Sequence, residues 1–148
     1  MRALVWIVED TWEATVAEAA AFLPPDAEIT LLHVAPAGLE ELAGGARRGL
    51  LGRHHPPPPP HHHHELREIS EEAAQALLAD AREQLGRDAA TVSLRGRVEH
   101  EVVAAAENAD VLILARDGDR HRPGPHSLGP PARFVVDHAP CGVLLVWP

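Results

Sequence analysis

Residues 3–8, Ala-Leu-Val-Trp-Ile-Val, form an unbroken apolar run that stops at the polar cluster Glu9-Asp10-Thr11. Such a run suits a strand covered on both faces, as in the middle of a parallel sheet. A helix should follow, with Asp10 or Thr11 accepting from its free N–H groups and Glu13 reaching back. Trp12, Val16, Ala19, Ala20 and Leu23 fall on one side of that helix, and Pro24-Pro25-Asp26 ends it. Residues 29–34 repeat the strand pattern. Residues 70–85 have the spacing of a helix with Ala73, Leu77, Ala81 and Leu85 turned inward, Ser70 as its cap and an earlier start near Leu66 left open.

Further on, residues 91–94 predict a third strand and residues 98–108 a helix with Val98, Val102 and Ala105 inward. Residues 111–114 predict a fourth strand, 131–137 a last short helix and 143–147 a fifth strand. Strands alternating with helices, joined by crossovers long enough to hold them, imply a parallel sheet wound on both faces. Two segments interrupt the alternation. Residues 35–65 hold Gly44-Gly45, five consecutive prolines and His61, His62, His63 and His64, which predicts a mobile excursion. Residues 116–130, rich in Gly, Pro, Arg and His, leave the fourth strand at its carboxyl end. Open parallel sheets bind ligands at that end, where the winding reverses.

Composition narrows the chemistry. At 148 residues, 45% hydrophobic and 24% charged, the chain fits one globular domain spanning 1–148. A formal charge of -9 argues against nucleic-acid binding, which draws on an excess of Lys and Arg. All 13 basic residues are Arg, so a P-loop that ends in Lys is excluded, as is chemistry on a lysine nucleophile. The one cysteine, Cys141, excludes an internal disulfide and reads as a buried thiol in a reducing compartment. No apolar stretch is long enough to span a membrane, and residues 1–10 lack the pattern of a signal peptide, so a cytoplasmic location is expected.

The run from Leu128 through Gly129-Pro130-Pro131 to His138-Ala139-Pro140-Cys141 and the apolar last strand resembles the universal stress proteins, as do residues 5–11 and 31–34. The resemblance implies a three-layer, open, five-stranded parallel sheet of order 3-2-1-4-5, of the adenine-nucleotide alpha hydrolase-like kind. It also implies stress-response regulation with ATP or AMP as the possible ligand. Family members that bind ATP hold its phosphates with a Gly-x2-Gly-x9-Gly-[Ser/Thr] loop. Here Ala115 stands at the first glycine, Gly118 at the second, Gly129 at the third and Pro130 at the hydroxyl position, with one extra residue between Gly118 and Gly129. Pro130 supplies neither a hydroxyl nor an N–H.

By the same resemblance Val8 and Glu9 close the first strand beside the ribose, and Val34 lies against the adenine. Arg116, Arg120, Arg122, His126 and Ser127 stand either as compensating phosphate ligands or as a solvated polar loop. The family pairs through its last strand, so a homodimer along the strand from Val143 to Trp147 is expected. The histidine run is a minority candidate for Zn, Ni or Cu, because consecutive histidines on a loop have no fixed geometry, and no metal is expected. Ser93 reads as a strand residue, Ser127 as a loop hydroxyl or helix cap, His33 as packed, His100 as solvent-facing and His138 as a helix C-cap. With no nucleophile, base and orienting acid to combine, the chain is not expected to be an enzyme. The alternatives are an interaction module that binds no nucleotide, still homodimeric, or a His-rich metal-binding variant.

Overall fold

The computed structural model describes residues 1–37, 61–117, 120–121 and 127–148, with side chains from residue 68 onward in the helix that begins at His61. Strand β1, Arg2–Trp6, is followed by helix α1, Trp12–Phe22, and strand β2, Glu28–Pro36. Helix α2 is His61–Leu85, β3 Ala90–Gly96 and α3 Val98–Ala105, which runs into a 3-10 turn at Ala106–Asn108. Strand β4 is Val111–Ala115, α4 Pro130–His138 and β5 Gly142–Val146.

All four strand pairings are parallel, and the order is β3-β2-β1-β4-β5, as the resemblance implies. Alternation along the strands divides the core in two. Ala3, Val5, Ile7, Ile29, Leu31 and Ile113 meet Val16 and Ala19 of α1 and Leu78, Ala81 and Leu85 of α2. Leu4, Trp6, Leu32, Val34, Leu112 and Leu114 meet Val102 of α3, Ala106 of the 3-10 turn and Ala132 and Val135 of α4. Covering both faces explains why β1 and β4 read as continuous apolar runs. The edge strand β3, more exposed, alternates more weakly.

Several local expectations are corrected. Helix α2 buries Ala74 and Leu78, while Ala73 is exposed and Leu77 only half-buried. Four residues turn a helix through 400°, so a strict spacing of four drifts off the face; 74, 78, 81 and 85 alternate four and three and stay on it. Ser70 lies inside α2 rather than capping it, and the backbone of His61–His64 is helical rather than loop. Residues 38–60, the greater part of the expected excursion, lie outside the described residues. At α1 the N-cap is Thr11, but its side chain makes no capping hydrogen bond. The Thr15 hydroxyl instead donates to the Thr11 carbonyl at 2.9 Å.

The ends are tied as local chemistry requires. Pro24 forces Leu23 into an extended conformation (φ -78°, ψ 137°), and Arg87 donates to the carbonyls of Leu23 and Pro24 just past the end of α1. Gly86, at φ +64°, ends α2 in the left-handed region where a side chain is disfavoured. His138 Nδ1 lies 2.8 Å from the Phe134 carbonyl, in keeping with a C-terminal role. Cys141 is half-buried, and that burial pushes its thiol above the ordinary value. Among the described residues no helix is long and apolar enough to cross a membrane.

Candidate functional site

The winding reverses between β1 and β4: the chain steps outward from β1 through β2 to β3, then returns to the far side of β1. At the carboxyl ends of these strands lies a cleft of about 270 Å³. That is just under the ~300–1,000 Å³ usual for small-molecule sites. Trp6, Val8, Val34, Pro36 and Val98 form apolar wall, and Glu9, His33, Asp117 and Gly129 bring polar atoms.

Each part is placed by backbone pairing. The N–H of Ile7 donates to the Leu32 carbonyl at 2.8 Å and extends the β1–β2 ladder, after which Thr11 N–H turns back to the Val8 carbonyl at 3.0 Å. That turn lifts Glu9 over the rim, where its carboxylate is exposed. His33 is buried, its Nδ1 3.2 Å from the Ile7 carbonyl and its Nε2 3.7 Å from Glu9 Oε1. Beyond β4, the Asp117 N–H donates to the Ser127 carbonyl at 3.0 Å and joins the two ends of the intervening loop. Gly129 then serves as N-cap of α4, and its N–H donates to Asp117 Oδ2.

Of the residues expected at the site, Val8, Glu9, Val34 and Gly129 line the cleft together, whereas Ala115, Arg116, Ser127 and Pro130 do not. Gly118, Arg122 and His126 lie outside the described residues. The guanidinium of Arg116 donates from Nη1 to Ser127 Oγ at 3.0 Å and stands 4.9 Å over the Trp147 ring. Ser127 therefore anchors Arg116, and the cap position of α4 belongs to Gly129. Among the described residues no group of three His, Cys, Asp or Glu is placed to hold a metal ion. The side chains of His61–His64 lie outside that description.

Two cleft residues had no assigned role. His33 carried a signal only in adjoining Val34 at the end of a strand. Asp117 carried none, because its partner Gly129 is twelve positions away. A wider open groove of about 920 Å³ runs between α2 and the edge strand β3. Its two arginines are already engaged, Arg82 with Asp88 at 3.3 Å and Arg87 with the Leu23 carbonyl at 3.1 Å. The convergence of strand ends makes the smaller cleft the better site.

Comparison with known proteins agrees with this architecture. The model of the universal stress protein family matches residues 8–146. UspA from Lactobacillus plantarum, a universal stress protein, is 21% identical, with a TM-score of 0.65 over 99% of this chain and 97% of that one. A universal stress protein family member from Arabidopsis thaliana, solved with AMP bound, is 15% identical, with a TM-score of 0.59 over 99% of this chain and 91% of that one. A universal stress protein in complex with cAMP is 16% identical, with a TM-score of 0.59 over 99% and 96% of the two chains. No curated protein matches this chain in sequence.

Proposed function

This chain belongs to the universal stress protein family, and from that premise we propose that it is a regulatory binding protein whose cleft takes an adenine nucleoside or nucleotide. The observation that carries the reading is the cleft at the winding reversal, with apolar walls for a flat base and the exposed carboxylate of Glu9 beside them. Val34, Val98 and Trp6 offer the base its apolar contact. Glu9, acceptor-only when ionised, suits the hydroxyl donors of a ribose. That two structures of the same fold carry AMP and cAMP supports the choice of base.

In this reading the output is occupancy, not turnover: ligand entering the cleft joins β1, β2 and α4 and shifts the protein between partners. A homodimer along the edge strand β5 is part of the proposal, since that edge offers unpaired backbone groups to a second copy. The test is to denature freshly purified protein, chromatograph what is released, and follow thermal unfolding with adenosine, AMP, cAMP and ATP. Ligand at about 100 times its dissociation constant adds about 2.7 kcal/mol of stability. Recovery of an unaltered adenine compound, or a rise in Tm with one of the four, is expected. No released compound and no rise at millimolar ligand would overturn the reading.

A further inference from the structure

The first four N–H groups of a helix have no partner within it and, with the helix dipole, make the usual anion site. In α4 those positions are Gly129, Pro130, Pro131 and Ala132. Both prolines lack an N–H. The N–H of Gly129 donates to Asp117 Oδ2. Three of the four donors are thus removed or engaged before any ligand arrives, and a carboxylate oxygen sits where a phosphate oxygen would.

Asp117 is held in this position, because its own N–H donates to the Ser127 carbonyl at 3.0 Å. The neighbouring cation does not offset it: Arg116 is turned to Ser127 Oγ and the Trp147 ring. Glu9 adds a second carboxylate to the cleft, and among the described residues that line it there is no Arg. A phosphate entering here would lose its water, find at most one helix N–H left to it, and face two like charges.

Resting on the adenine-ligand reading above, we propose that Asp117 is a built-in anion that closes the phosphate end of the cleft, so that the preferred ligand is an uncharged adenine nucleoside. Asp117 is then a specificity residue: it selects against each added phosphate by occupying the amide that a phosphate would use.

The test is calorimetric titration of the full chain with adenosine and with AMP, in buffer free of divalent ions, for the wild type, Asp117→Asn and Asp117→Ala. Asp117 is exposed, so neither substitution opens the core, and circular dichroism checks that each variant is folded. The wild type should bind adenosine about tenfold or more tightly than AMP, with the gap narrowing as salt rises, because screening weakens the repulsion. Asp117→Ala, which removes both the charge and the acceptor, should move the ratio of AMP to adenosine affinity about tenfold toward AMP. Asp117→Asn, which removes the charge but can still accept from the Gly129 N–H, should move it the same way by less. A wild type that binds AMP as tightly as adenosine, or variants with an unchanged ratio, would overturn the role of Asp117 and leave the adenine reading standing. If neither ligand binds any of the three proteins, the adenine reading falls as well.

Discussion

His33 Nε2 stands 3.7 Å from the carboxylate of Glu9, a buried imidazole beneath an exposed acid, while its Nδ1 lies 3.2 Å from the Ile7 carbonyl. The ring thereby ties the end of β2 to the end of β1 and sets a backstop against which Glu9 can be held. Glu9 itself bears no packing load, so its removal should be felt by ligand and not by the fold.

Glu9→Ala should weaken adenosine binding by about tenfold to a hundredfold, the value of one or two hydrogen bonds to a charged acceptor. Its unfolding midpoint should stay near that of the wild type, since an exposed substitution usually changes stability by about 0.5 kcal/mol or less. Calorimetry and urea unfolding read the two quantities. Unchanged affinity would remove Glu9 from the site.

The phase of α2 can be checked directly. Leu78 is buried at 4% relative exposure, whereas Ala73 faces solvent. Leu78→Ala should cost about 2–5 kcal/mol, and Ala73→Glu no more than about 0.5 kcal/mol. Comparable losses in the two variants would place the buried stripe one residue earlier.

Asp110 fastens the start of β1: the Arg2 N–H donates to its Oδ2 at 2.6 Å, and its own N–H donates to the Arg2 carbonyl at 2.8 Å. The backbone N–H of Arg2, aided by the charges of Arg2 and the N-terminus, holds the Asp110 carboxyl below its ordinary value. A lowered folded value means stability that is present above the unfolded value of about 3.9 and is lost as pH falls through the folded one. Wild type should therefore exceed Asp110→Asn in urea midpoint at neutral pH. The difference should be smaller in acid, as pH falls below the unfolded value toward the folded one. An equal difference at neutral and acid pH would show that the charge contributes nothing.

A Cβ added to Gly129 would meet Asp117 Oδ2 at 2.7 Å, although the glycine's backbone, φ -64°, is open to any residue. Gly129→Ala should destabilise the protein when Asp117 is present and much less in an Asp117→Ala background. A double-mutant cycle on unfolding free energies should give a coupling of about 0.5–3 kcal/mol. Strict additivity would mean that the two groups do not meet.

Much of this was legible because it rests on short-range pattern. The apolar runs at β1 and β4, the prolines after α1 and the spacing of Val98 and Val102 are local signals that the fold obeys. Strand order is not local; it came through the resemblance carried by the stretch from Leu128 to the last strand. What stayed hidden was tertiary. Nothing in the loop after β4 announces that Asp117 will take the Gly129 amide, or that Arg116 will turn to Ser127 and Trp147 instead of toward the cleft. Likewise the choice between Ala73 and Ala74 depends on a drift of 40° per step, too fine for a run rich in alanine to resolve.

The most direct measurement is a titration of the isotope-labelled protein with adenosine, followed by the backbone amide signals in NMR. Shifts at Val8, Glu9, Val34 and Gly129 that saturate together are expected. An undisturbed spectrum, or shifts confined to Arg82, Thr91 and Ser93 in the groove beside β3, would contradict the assignment of the cleft.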